Sequence, residues 1–341
     1  LTSLSKSKYL FQVIFLAVVL VVLVGLDISL GTVKIPFRSI VGFLFSGGEL
    51  SRQQELILLD FRIPRVVTAL LAGAALSVSG LQMQTIFRNP LAGPYILGIS
   101  SGASLGAALV LLGTGAMATG ILARWGIVAA AWIGAAGVMF ILLLVTIRIR
   151  NIMTILILGI MFSSGLSAVI SLMQYFGNAA ALKSFVIWSM GSLGDVSGSA
   201  LSVMLIAIVP GLLIALLSVK GLNAMMLGEE YAGSLGVSVR ATRILVFAST
   251  SILAGTVTAF CGPIGFIGIA VPHITRFLTG RSDMRFLVPA TLLVGMIVLV
   301  FSDIISQVPG SDRILPINAI TSLIGIPVVV WVVISSKKLF N

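Results

Sequence analysis

Ten stretches of about twenty apolar residues follow one another along this chain, at about 10–30, 62–86, 94–112, 126–147, 152–176, 199–219, 244–261, 264–279, 286–305 and 317–335. A helix needs roughly 20 such residues to cross the hydrocarbon layer of a bilayer. The series predicts an all-α polytopic membrane protein with about ten transmembrane helices. Composition agrees: charged residues make up 9% of the chain and hydrophobic residues 58%, whereas a soluble domain carries about 25% charge. Too little polar surface exists to cover a water-soluble fold. The first run is long and lacks a small-residue cleavage pattern, so it is expected to remain as a span rather than act as a signal peptide. No Pro/Ser-rich linker interrupts the chain, and residues 1–341 are expected to form a single transmembrane domain.

Lys and Arg near span ends set the orientation. With a cytoplasmic N-terminus, 13 of the 21 basic residues fall inside, among them Lys6, Lys8, Arg88, Arg148, Arg150, Arg281, Lys337 and Lys338. Only Glu229, Glu230 and Asp283 of the ten acids share that side. Both termini are therefore expected in the cytoplasm. The formal charge of +11 reflects this topology and not nucleic acid, since no basic run with interleaved aromatics appears.

The residue inventory argues against a transition-metal site and a serine hydrolase. One cysteine, Cys261, and one histidine, His273, supply no metal-ligand spacing. Gly98–Gly102 reads G-I-S-S-G, but the nucleophile elbow needs a strand-to-helix turn with histidine and acid partners. It lies instead in LGISSGASLGAA, where Gly98, Gly102 and Gly106 form a stripe suited to close helix packing. Asp27 and Asp303 lie near the outer ends of their spans, and no ionisable residue occupies a clear span centre. A proton-coupled carrier is thereby disfavoured. A sodium-coupled secondary carrier working without an ATPase is weakened less and stands as the alternative.

One polar interruption stands out. GLNAMMLGEEYAGSLGVSVRATR, Gly221–Arg243, lies on the inner side and holds the only adjacent acids, Glu229 and Glu230, with glycines at 221, 228, 233 and 236. Two short helices broken by Gly228, Gly233 and Gly236 are predicted, because glycine permits the left-handed backbone of a sharp stop. Leu227, Leu235 and Val237 offer apolar anchors, and the two acids offer charge pairing to a partner. An ordinary interfacial loop kept off anionic lipid by its acids has the same pattern. The chain holds no G-x-x-x-x-G-K-[ST] phosphate loop. If ATP drives it, the ATPase is a separate chain gripping a surface such as this loop of about 220–243.

LGEEYAGSLGV resembles the L-G-E-x-x-A-x-x-L-G-V signature of the FecCD-type permeases, the ABC importers of iron-siderophore, haem and cobalamin. The likeness extends through RIPRVVTALLAGAALSVSGLQMQTIFRNPLAGPYILGISSGAS, GPIGFIGIAVPHITR and LPINAITSLIGIPVVVWVV, in the family's order. The resemblance implies a type II ABC importer permease fold in a bacterial inner (plasma) membrane, moving an iron chelate or cobalamin inward by alternating access. It implies a second permease, identical or a close homologue, two ABC ATPases, and a periplasmic or lipid-anchored binding protein. The chain itself would be no enzyme and hold no cofactor, with ATP and Mg bound by the ATPase. Leu227, Gly228, Glu229, Glu230, Leu235, Gly236 and Val237 would couple to the ATPase. Arg62 and Arg65 fall on outer-face docking positions for the binding protein, with topological anchoring near the lipid headgroups as the lesser reading. The family's third docking arginine falls on Gln307, with Arg313 nearby. Asn89 and Leu91 match positions narrowing the inner end of the path, and with Pro90, which would hold the turn in shape, they form the candidate gate; a purely structural turn is the other reading. Ile152 and Met153 stand where the family's second gate often has small polar residues. His273 is expected to be structural, capping carbonyls or touching the coupling loop.

Overall fold

In a computed structural model the described residues are 3–31, 33, 35–113, 121–149, 151–307 and 314–337; Arg150, Arg313 and Lys338 lie outside them. Fourteen α-helices follow in order: α1 (Ser3–Ser29), α2 (Phe37–Ser46), α3 (Arg52–Leu56), α4 (Ile63–Phe87), α5 (Ile99–Leu111), α6 (Ile121–Arg148), α7 (Ile152–Phe176), α8 (Ala179–Ser189), α9 (Ser199–Met226), α10 (Glu229–Ser234), α11 (Val239–Cys261), α12 (Ile267–Thr279), α13 (Met284–Ser306) and α14 (Ile317–Lys337). No strand occurs among the described residues. Among the described residues, eight helical segments are long and apolar enough to cross a bilayer.

The remaining two predicted spans differ from expectation. Residues 94–112 and 264–279 contain helices of only 13 residues, α5 and α12. At 1.5 Å per residue each is about 20 Å long, short of a bilayer core. Apolar content does not register what interrupts them: Gly98 at φ +78° before α5 and Phe266 at φ +65° before α12. Irregular backbone at membrane depth is tolerated where protein satisfies it. Here Asn318 Oδ1 accepts from Gly265 N–H at 2.8 Å, and Tyr95 Oη accepts from Ile264 N–H at 3.4 Å.

The second span is longer than expected. Its helix begins at Arg52 and passes through a π-helical segment, Ile57–Arg62, directly ahead of α4. Pro64 explains the widening, because it has no N–H to offer and its ring crowds the carbonyl four residues earlier.

The bundle is organised around α4. Most of the apolar stretch of the span that contains it is buried, 83% against 6% for that of α1. Apolar burial cannot draw helices together in lipid, so close backbone packing must. A Cβ on Gly80 would overlap the Gly268 carbonyl of α12, and one on Gly73 the Gly295 carbonyl of α13. The stripe on α5 behaves likewise, with Gly102 against the Gly134 carbonyl and Gly106 against the Ala130 carbonyl of α6. Gly80→Leu is therefore expected to force α4 and α12 apart, at a cost of at least about 1–3 kcal/mol. Fluorescence-detected size-exclusion after heating would show a lowered unfolding midpoint; an unchanged one would contradict this packing account.

Candidate functional site

α4 fixes the two ends of the molecule. Arg65 lies in its first turn, and Arg88 follows its last residue, about 35 Å away along the axis. Arg88 adopts φ +47° and ends the helix, its backbone N–H turning back toward the Gln84 and Thr85 carbonyls. Its side chain donates to the Met225 carbonyl at 2.9 Å, which ties the Arg88 end of α4 to the last turn of α9, just before α10.

That interruption is more compact than predicted. Gly221 breaks nothing: α9 continues to Met226, and a Cβ on Gly221 would collide with the Thr242 side chain of α11. Only one short helix forms, the six-residue α10, and Gly233 lies within it. The second predicted helix is the first turn of α11, capped by Ser238, whose Oγ accepts from Ala241 N–H at 3.2 Å. The turn into α10 rests on Gly228 at φ +125°, and the turn out on Gly236 at φ +77°, conformations that side-chain-bearing residues rarely adopt. Ala232 is fully buried and fastens α10 to the bundle, with Val237 packed against the core. Leu227, Tyr231 and Leu235 are 67%, 55% and 58% exposed. The result is a short helix with an apolar outer crown.

The adjacent acids are not equivalent. Glu229 Oε1 accepts from Arg243 Nη2 at 2.5 Å, an ion pair in which the arginine side chain is 6% exposed and the glutamate 35%. Glu229 thus fastens α10 to α11, whereas Glu230 is exposed. Both stand in the first turn of α10, the end of a helix that favours negative charge. From the sequence Arg243 reads only as one cation at the end of the Gly221–Arg243 interruption; its place in R-A-T-R, on the helix after the acids, is the signal for the pairing. A cleft of about 470 Å³ separates this protrusion from the Arg88 end of α4 and the start of α7, with Ile86, Arg88, Ile152 and Glu230 on its walls.

The predicted gate turn lies beside it. Asn89 Oδ1 accepts from Leu91 N–H at 2.9 Å, and Asn89 C=O from Ala92 N–H at 3.0 Å. Pro90 and Leu91 are exposed. His273 Nε2 lies 2.7 Å from the Pro90 carbonyl, so the histidine braces this turn from α12. Met153 is exposed at the start of α7, where Asn151 caps the helix.

At the opposite end the two candidate arginines are engaged internally. Arg62 is 8% exposed. Its guanidinium donates to the Ile28 carbonyl at 2.7 Å and the Ser29 carbonyl at 3.2 Å, and also to the Val33 carbonyl. It pins the chain where α1 ends. Arg65 grips Asp303 with Nε at 2.8 Å from Oδ2 and Nη2 at 2.7 Å from Oδ1. Gln307 donates to Asp27 at 2.7 Å and to Asp303 at 3.2 Å, so it joins the acid pair that Arg65 serves. Asp27 and Asp303, distant in sequence, are 1% and 0% exposed. The Nη1 edge of Arg65 is turned toward Gly194. Arg65 also borders a cavity of about 710 Å³ that reaches Trp125, Trp188 and Asp195.

Comparison with known proteins agrees with this architecture. The FecCD transport family profile matches residues 18–335. The vitamin B12 import system permease protein BtuC of Klebsiella pneumoniae is 38% identical over 292 residues, 85% of this chain and 86% of that protein. The hemin transport system permease protein HmuU of Yersinia pestis is 34% identical over 325 residues, 95% of each. A solved ABC transporter described as of metal-chelate type, in an inward-facing conformation, superposes with a TM-score of 0.83 at 28% identity, covering 95% of this chain and 98% of that one. With eight candidate spans among the described residues, a protruding α10 and a family match along nearly its whole length, the chain belongs to the FecCD transport family and is an ABC transporter permease.

Proposed function

We propose that this chain is the membrane subunit of an importer that moves a large chelate, an iron-siderophore, haem or cobalamin, into the cytoplasm by alternating access. The supporting observation is α10, a helix tied to the bundle by Ala232 and the Glu229–Arg243 pair, with Leu227, Tyr231 and Leu235 turned outward. A separate ATPase seated on that crown would move α9 and α11 together, since both flank it. The relatives named above carry vitamin B12 and hemin in their names, and a path with few charges suits such bulky, many-substituent cargo.

In this reading two ATPases bind at the α10 end, with ATP and Mg held by them and no cofactor here. A second permease, identical or homologous, completes the path in the bacterial inner membrane, and both termini face the cytoplasm. Asn89, Pro90 and Leu91 narrow the inner exit. The binding protein docks at the Arg65 end: Arg65 offers its Nη1 edge, and Arg62 holds the turn after α1 in place. Family membership lends no support to a sodium-coupled carrier.

Reconstitution tests the proposal. Proteoliposomes with the chain and its cognate ATPase and binding protein are expected to accumulate labelled haem or cobalamin only when ATP is supplied. The chain alone, under a sodium gradient, is expected to accumulate none; uphill uptake by the lone chain would overturn the reading.

A further inference from the structure

Arg88 stops α4 in a way that a smaller residue would do at less cost. Among the described residues, only Arg88 and Phe266 carry a side chain at positive φ. Arg88, at φ 47° and ψ 36°, lies in the left-handed region, which glycine and asparagine enter more readily. Neither of those has the length to reach α9. The arginine does.

Its contact falls on a hinge. Arg88 Nη2 donates to the Met225 carbonyl at 2.9 Å, and the same carbonyl accepts from Gly228 N–H at 3.2 Å. Gly228, at φ +125°, is the residue on which the chain turns from α9 into α10. A Cβ on Gly228 would stand 3.6 Å from Arg88 Nη2. One guanidinium therefore rests against the hinge and against the last turn of α9, an end of a helix that favours a cation. The residue that follows it in the chain, Asn89, opens the candidate gate turn.

The other side of that turn is held from α12. Gln84, one helical turn before Arg88, donates to the Ile269 carbonyl at 3.0 Å and accepts from Arg276 Nη1 at 2.6 Å. His273 meets the Pro90 carbonyl, and Gly80 lies against the Gly268 carbonyl. The end of α4, the turn and α12 are thus bound together, and Arg88 joins them to the α9–α10 hinge. A displacement of α10 relative to α12 pulls on residue 88, next to the turn.

We propose that Arg88 is the positioning residue that carries a movement of α10 to the Asn89–Leu91 turn. This rests on the reading of α10 as the seat of the ATPase and names the link by which that seat acts on the gate. Such a link shows itself as non-additivity, because sites that share no partner respond independently.

Millisecond hydrogen exchange on the purified full chain tests it without ATPase or cargo. Glu229→Arg displaces α10 by breaking its tie to Arg243. The amides of residues 88–92 report on the turn, where Leu91 N–H and Ala92 N–H are bonded to Asn89. Glu229→Arg is expected to speed their exchange about fivefold, a coupling of the size common within one hydrogen-bonded network. With Arg88→Asn also present, Glu229→Arg is expected to change nothing there. Arg88→Asn alone should leave the unfolding temperature at or above that of wild type, because asparagine accepts the left-handed backbone. Arg88→Gly serves if Arg88→Asn fails to fold. Arg88→Lys, able to donate to Met225 through a single ammonium, should restore part of the response. An equal response with and without Arg88→Asn would overturn the link, and so would no response in either. If wild-type proteoliposomes with ATPase and binding protein accumulate no cargo while exchange responds as stated, the importer reading falls and the link stands. If they transport and exchange does not respond, the link falls alone.

Discussion

Arg65→Ala is expected to lower the stability of this protein by about 3–5 kcal/mol, the usual result of deleting one partner of a buried ion pair. Arg65 is 14% exposed and Asp303 not at all. Without the guanidinium, Asp303 keeps only Gln307 at 3.2 Å and Ser306 at 3.2 Å as side-chain donors. Asp27 is buried next to the same glutamine, so two carboxyl groups would share a pocket from which the bidentate cation had gone. Arg65→Lys is expected to recover part of the loss, because a point charge cannot reproduce the two-nitrogen fork. Arg65→Ala combined with Asp303→Asn is expected to recover most of it, since the stranded charge is what costs. Thermal unfolding of the detergent-solubilised chain measures all three. If Arg65→Ala and the double variant unfold at one temperature, the stranded charge is not the cause.

How much of this was legible beforehand depended on range along the chain. Continuous apolar runs announce spans because the bilayer demands them residue by residue, and that part of the architecture was readable. The half-length helices were not, since Pro94–Gly98 and Cys261–Phe266 are nearly as apolar as the helices they precede. What separates them is positive φ at Gly98 and Phe266, a conformational fact that hydropathy does not carry. Glycine was ambiguous in the same way. Gly228 and Gly236 make turns, whereas Gly221 makes room for Thr242, and sequence context alone does not distinguish a turn from a close approach. The pairings across the bundle, Arg65 with Asp303 and Gln307 with Asp27, join residues more than 230 positions apart. Span position put Asp27 and Asp303 near the outer ends, and the family resemblance put Arg65 and Gln307 on the same face, but neither could bring them into contact. The Gly221–Arg243 segment stood out by its paired acids and its family signature, yet the division of labour between those acids depends on which side of a single six-residue helix faces α11.

That division sets up the second large effect, expected in coupling rather than in folding. Glu229→Arg places a cation beside Arg243, which is 6% exposed and has little water to screen it. Glu229 itself is 35% exposed, so loss of the attraction is a discounted term, about 1 kcal/mol. Ala232 and Val237 still hold the segment, and the chain should fold. Repulsion, however, would swing the first turn of α10 off α11 and disturb the outward crown. ATP-driven transport is expected to fall at least about tenfold, which needs only 1.4 kcal/mol in the coupled step. Glu230→Arg, on the exposed side, leaves the internal tie intact and tests contact with the ATPase directly, by weakened association in pull-down. Glu229→Gln keeps an acceptor for Arg243 and is expected to lie near wild type. Glu229→Arg with Arg243→Glu restores opposite charges and should regain part of the transport, though not all, because the acid would then occupy the more buried position. Full transport by Glu229→Arg alone would mean that the ion pair does not hold the coupling helix in its working place.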